Sequence, residues 1–460
     1  MNKQCKSVLR FSRWIFFLSA IATISPSQVL TTLVDFNGVN GSGAAAALVE
    51  GIGGQLYGTT QYGGTSNVGT IFAVSPEGDL GSVLSLSGSN GGYPLAALVL
   101  VPNRLLYGTA YEGGPSRAGT VFQTTPTGTL TTLHSFGSTG GGLPIGGLAP
   151  AFNGMLYGTT SEGGTQYLNG AIFKITPGGT LTTMHEFSWV TGASPLAAPV
   201  QASDGLLYGT TSAAGAHGCG AIYTISLAGA FTILYSFSGT DGCAPRGALS
   251  QGNDGNLYGT TQRGGFGGLD YGTVFQITPA GALTTLHSFD NTDGSEPLAA
   301  LVQGTDGDFY GTTSSGGAGG WGTIFKITPT GTLTTLHIFE NADGAQPYGG
   351  LVQHTNGAFY GTTSSGGSSG DGTVYRLIAS LHPFVKTLPT FGKVGTTVTI
   401  MGSNLTGVTS VTFNGSAAVF TVLTSYEITA IVPAGATTGT VQVATPSGTL
   451  SSNTAYQVLP

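Results

Sequence analysis

The pentapeptide LYGTT, Leu56 to Thr60, returns with its surroundings along most of the chain, and this recurrence restricts the possible folds more than any other feature. Its tyrosine stands at Tyr57, Tyr107, Tyr157, Tyr208, Tyr258, Tyr310 and Tyr360, at spacings of 50 to 52 residues. A period this constant requires equal units in a stack or ring, each burying its apolar face against the next. Every unit offers four runs of strand character. In the sixth they are PLAALVQ (297–303), DFYGTT (308–313), GTIFKIT (322–328) and TLTTLHIF (332–339). The turns Thr305-Asp306-Gly307 and Pro329-Thr330-Gly331 supply the positive φ of tight hairpins, so neighbouring runs should pair antiparallel as a meander.

The first run is rich in small residues, as in AAAALV (44–49) and PIGGLA (144–149), which suits a crowded central axis. Four-stranded units arranged radially are the blades of a β-propeller. The register of the ends supports a ring. The seventh unit stops after its third run, GTVYRLI (372–378), whereas VLTTLVDF (29–36) is a fourth run with no unit before it. Pairing the two completes a seventh blade and removes the free edges of an open stack. The expectation is an all-β chain with a seven-bladed propeller over 29–378, closed by its N-terminal strand.

From Ala379 the period is lost. A linker over 379–385 should lead into a separate module at 386–460, where alternating apolar residues in TVTI, SVTF, EITAIV and TVQV indicate a small β-sandwich. At the other end, Lys3, Lys6, Arg10 and Arg13 precede the apolar run Trp14 to Ile24, and Ala20-Ile21-Ala22 offers a small-x-small cleavage site. Residues 1–22 therefore read as a secretory signal peptide whose apolar run is too short to span a bilayer. The exported chain carries nine basic against 20 acidic residues, which argues against a nucleic-acid partner. No transmembrane segment is expected after the leader. Cys219 and Cys243, exported to an oxidising compartment and placed at adjoining strand ends, are positioned to form a disulfide.

Two resemblances attach to these residues. The unit LYGTT-x-x-GG followed by GT-[IV]-F-x-[IV]-TP-x-G-x-LTTLHSF resembles the GloVer tandem repeat of exported bacterial proteins, over 29–378. That resemblance implies export and surface display and carries no catalytic residues. The segments GTTVTIMGSNL (395–405), VTFNG (411–415), ITAIVPAG (428–435) and GTVQVATPSGT (439–449) resemble an IPT/TIG domain, which implies an immunoglobulin-like spacer or binding module.

A ligand site is expected on the face carrying the long second-to-third loops and the connections between units. Its aromatic residues, Tyr62, Tyr93, Tyr111, Tyr167, Trp189, Phe266, Tyr271, Trp321 and Tyr348, suit stacking on sugars or capping of apolar partners. Among them Trp189, Trp321, Tyr111, Tyr167 and Tyr271 are the leading ligand-binding candidates. Glu112 and Glu162 occupy equivalent loop positions and are the best lead for a glycan-active hydrolase or lyase. The recurring His134, His185, His287 and His337 lie in different units and read as packing residues. Asp204, Asp254 and Asp306 read as turn residues, as do Asp241, Asp293 and Asp343, which also offer oxygens to Ca²⁺. No metal or cofactor motif is present. The sequence favours an exported, non-catalytic recognition or surface protein binding a glycan or protein partner, with an exported glycan-active enzyme as the alternative.

Overall fold

A computed structural model describes residues 28–137, 141–164 and 168–460. The expected leader, 1–22, and Tyr167 lie outside them. The described chain is all-β apart from a 3-10 turn at Phe266–Gly268, and its repeats build a propeller-like arrangement of seven four-stranded antiparallel sheets.

The sixth unit again shows the plan. Val302–Gln303, Phe309–Thr313, Thr323–Ile327 and Leu333–Ile338 pair in chain order. The first run departs from expectation. Only its last two residues enter the ladder, and Pro297 to Leu301 run alongside without pairing. The reason lies in the neighbouring unit. Small residues here bring successive first runs together: a Cβ at Gly349 would come within 2.6 Å of the Ala46 carbonyl carbon. The second strand's threonine bonds across this contact, Thr59 Oγ1 to the Ala96 carbonyl (3.3 Å), Thr109 to Gly146 (3.0 Å), and so on to Thr312 on Gly349 (3.0 Å). Thr362 of the last unit donates to Ala46 of the first (2.9 Å).

Val29–Asp35 pairs antiparallel with Thr373–Ile378 and takes the fourth place in the last sheet. Apolar clusters fill the space between successive sheets. Val34 of the N-terminal strand and Phe36 just beyond it join Leu56, Phe72 and Val74 of the first unit and Tyr360 and Val374 of the last. The glycine of LYGTT answers to this packing rather than to a turn. A Cβ at Gly58 would lie 2.5 Å from the Phe72 ring and 2.6 Å from Leu48.

The C-terminal region forms two further four-stranded sheets around one core, in which Val398, Ile400 and Ile428 of one meet Val411, Phe413 and Val443 of the other. Its first strand is Val385–Leu388, so fully buried Val385 belongs to the sheet and not to the linker expected to end there. The module does not hang free. It rests on the first-hairpin turns of the repeats, with Met401 buried in the cluster of Tyr57 and Leu100, and Phe391 against Phe152 at 4.9 Å.

Candidate functional site

On the loop face, each connection between units is bridged to the following second-to-third loop: Ser42 with Tyr62, Gly92 with Glu112, Gly142 with Glu162, Ala193 with Ala213, Cys243 with Arg263, Ser295 with Ser315, Ala345 with Ser365. The residue before each conserved-register proline is left-handed, as at Tyr93 (φ 54°) and Gln346 (φ 55°). Hydrogen bonds hold that conformation on both sides: Tyr93 donates its N–H to Val68 and accepts from Tyr111 N–H. The backbone of this face is thus repeated and pinned, while its side chains vary freely.

The candidate aromatics fall at different points of this frame. Trp189, in the connection after the third unit, is 66% exposed, and its carbonyl accepts from Gly215. Trp321 is 39% exposed, and its carbonyl holds the left-handed Gln346. Tyr271 is half-buried against the cluster of Tyr258, Val274 and Phe289, so packing engages much of its ring. Tyr111 is also half-buried, and no ring contact joins Tyr111, Trp189, Tyr271 and Trp321 to one another among the described residues. Tyr62 and Tyr93 do pair, edge to face at 5.6 Å. Cys219 and Cys243 are bonded, with Cα atoms 4.5 Å apart.

Glu112 and Glu162 both bear on Tyr111: burial, then the charge of Glu162, then that of Glu112, push its phenol above the ordinary tyrosine range. Asp241, Asp293 and Asp343 have both oxygens engaged. One accepts a backbone N–H three residues earlier; the other meets Tyr235 (2.5 Å), His287 (2.7 Å) or His337 (2.7 Å). Burial opposes ionisation of Asp343, but the bonds from His337 and from Glu340 N–H prevail and lower its pKa. His185 stacks on Phe231 at 3.7 Å as a packing residue. Asp204, Asp254 and Asp306 likewise do more than shape turns, each accepting the hydroxyl of its unit's repeat tyrosine at 2.6 to 2.8 Å. Among the described residues no group of three His, Cys, Asp or Glu is placed to hold a metal.

The turn face carries a second constellation that sequence reasoning missed. At one position of the first strand, Gln201, Gln251, Gln303 and Gln353 each accept a backbone N–H from the preceding unit's hairpin, those of Phe152, Ser203, Asn253 and Thr305. In the first unit this position is Glu50, and its carboxylate accepts Thr355 N–H (3.1 Å) and Oγ1–H (2.6 Å) from the last unit. Lys386 of the C-terminal module donates to Glu50 (2.8 Å) and to the Gln353 carbonyl (2.5 Å). His354 lies 3.3 Å from Glu50, with Nδ1 accepting Asn356 N–H and Nε2 against the Gly54 carbonyl. Burial alone would raise the Glu50 pKa; the charges of Lys386 and His354 and the bonds from Lys386 and Thr355 outweigh it and hold the carboxyl below its ordinary value. A second ion pair, Arg104 with Glu427, joins the module to the repeats. The signal lay in the repeat register, where an acid stands at the position that the fourth to seventh units fill with glutamine and the second and third with Leu100 and Pro150.

Between the module and the repeats lies a cavity of about 700 Å³, lined by Val200, Val302 and the glutamines Gln251 and Gln303 from the repeats and by Lys386 and Asn453 from the module.

Among solved structures, a fungal alcohol oxidase of the AA5 family in complex with copper shares this fold, with TM-score 0.52, 12% identity, and coverage of 94% of this chain and 99% of that one. The extracellular domain of a protein assigned to a hybrid two-component system of B. thetaiotaomicron gives TM-score 0.50 and 13% identity, covering 94% of this chain and 55% of that one. At these identities the likeness is one of fold. No curated protein matches the sequence. The Gloeobacter/Verrucomicrobia repeat matches residues 19–168, 151–375 and 198–420, and the chain belongs to that repeat family.

Proposed function

We propose that the chain is an exported recognition protein: a closed seven-bladed β-propeller whose loop face binds a glycan or protein partner, with an IPT/TIG-type immunoglobulin-like module on the opposite face. The observation that carries this reading is the set of large apolar side chains left in water on pinned loops: Phe266 at 70% exposure, Trp189 at 66%, Tyr62 at 43% and Trp321 at 39%. Rings held outward on a rigid frame bind planar or apolar surfaces at little cost in ordering. Export is supported by the sequence of residues 1–22 and by the family. No helix among the described residues is long and apolar enough to cross a membrane.

The enzymatic alternative rests on Glu112 and Glu162 bearing on one phenol. Binding of residues 23–460 to a glycan array with and without Ca²⁺, followed by reducing-sugar release on each hit, separates the readings. Binding without turnover, lost in Trp189→Ala or Trp321→Ala, is expected. Turnover lost in Glu112→Gln or Glu162→Gln would replace recognition with catalysis.

A further inference from the structure

The cavity under the C-terminal module lies on the turn face, away from the loop-face aromatics, and does not rest on the loop-face reading. Glutamine, serine, threonine and asparagine make up most of its walls, and it is half open to water. Lys386 is the one charged residue lining it, and Glu50 behind the wall balances that charge at 2.8 Å. The space is therefore polar without net charge.

Its polar groups are fixed and only partly used. Gln201 and Gln303 accept a hairpin N–H through Oε1 and donate one Nε2 proton to the Gly205 and Gly307 carbonyls. Each amide keeps a second proton. From the module, Gln457 and Asn453 donate to the Ser203 and Gln303 carbonyls, both at 3.4 Å, which leaves their side-chain oxygens as acceptors. Thr387 is 7% exposed and lines the cavity, and among the described residues its hydroxyl has no hydrogen-bond partner. Between these groups Phe152, Val200, Val302 and Val352 contribute apolar patches. Water satisfies the amides but gains nothing on the patches. A carbohydrate, with hydroxyls on its rim and C–H groups on its faces, meets both at once.

We propose that this cavity binds a neutral, polyhydroxylated small molecule of mono- to disaccharide size, hydrogen-bonded to the repeats on one side and to the module on the other. The volume of about 700 Å³ falls within the ~300–1,000 Å³ of small-molecule sites. Because both walls contribute, an occupied site also holds the module in its seat.

The test uses the exported chain, residues 23–460, with glucose, cellobiose and trehalose as probes in calorimetric titration at neutral pH. At least one should bind saturably at one site, with a Kd of about 1 mM or tighter. Thr387→Val removes a hydroxyl that no protein group uses, so it should leave the melting midpoint unlowered while weakening that sugar about threefold to tenfold. Val302→Trp, at a partly exposed position on the wall, should fill the space and weaken it at least about tenfold while retaining the β-rich circular dichroism spectrum. Trp189→Ala and Trp321→Ala, on the loop face, should leave this binding unchanged. At ten times its Kd the sugar should slow hydrogen exchange at Phe384 N–H, which bonds across the interface to Thr355, by roughly tenfold. No saturable binding by any of the three probes, parent-like binding in both wall variants, loss of binding in a loop-face variant, or no added protection at Phe384 would each overturn the assignment.

Discussion

Replacing Lys386 by methionine should loosen the C-terminal module, and the size of the effect follows from what Glu50 then lacks. Glu50 is 4% exposed and keeps Thr355 N–H, Thr355 Oγ1–H and His354 but loses its full countercharge. Removing one partner of a buried ion pair costs about 3–5 kcal/mol, and the remaining donors place this case near the lower end, about 3 kcal/mol. Glu50→Gln alone should cost about 1 kcal/mol, because Lys386, 27% exposed, is able to hydrate. The double variant should return to within about 1 kcal/mol of the parent, since glutamine at this position accepts the preceding unit's N–H at Gln251 (2.9 Å) and Gln303 (3.0 Å). The resulting coupling is about 3 kcal/mol.

Hydrogen exchange at Phe384 N–H, which bonds across the interface to the Thr355 carbonyl, reads undocking directly. In Lys386→Met its protection should drop roughly 100-fold, and in the double variant it should recover most of that loss. Unchanged protection in the single variant, or a double variant as loose as the single, would refute the view that this charge pair fastens the module.

Tyr223 and Tyr375 bury hydroxyls that have no hydrogen-bond partner, where five other units carry phenylalanine; Tyr223→Phe and Tyr375→Phe should each raise thermal stability by about 1 kcal/mol, read as a higher melting midpoint. Gly108→Ala drives a methyl to 2.6 Å from the Phe122 ring and should destabilise the repeat domain by about 1–3 kcal/mol in chemical denaturation. Reducing Cys219–Cys243, which closes a separation of 24 residues, should lower stability by roughly 3 kcal/mol, measured by melting with and without reductant. Because the Glu50 pKa is lowered on folding, its contribution is complete above the unfolded value near 4.5 and fades as pH falls below it; melting midpoints from pH 6 to 3 should fall more steeply in the parent than in the Glu50→Gln, Lys386→Met double variant.

The repeat was legible because each unit solves the same packing problem with the same residues. The tyrosine, glycine and threonine of LYGTT take, in turn, the hairpin cap, the close approach to Phe72 and the bond to the next unit. The unpaired first run was not legible, since small and branched apolar residues suit a strand and an extended channel-lining segment equally. The aspartates and histidines were read singly, whereas the structure couples them in pairs six residues apart, as His287 with Asp293. The loop-face aromatics were legible as a class, but exposure separates Trp189 from half-buried Tyr271 only after folding.

Periodicity and turn chemistry are local properties, repeated unit by unit, so the sequence by itself determined the repeating four-stranded units and the place of the N-terminal strand beside Thr373–Ile378. The seat of the C-terminal module was decided only by the tertiary structure. Glu50 and Lys386 lie 336 residues apart, and Arg104 and Glu427 lie 323 apart. No periodic signal relates such residues; they meet because the packing of successive sheets gathers the first-hairpin turns on one face and leaves one buried acid there in need of a cation.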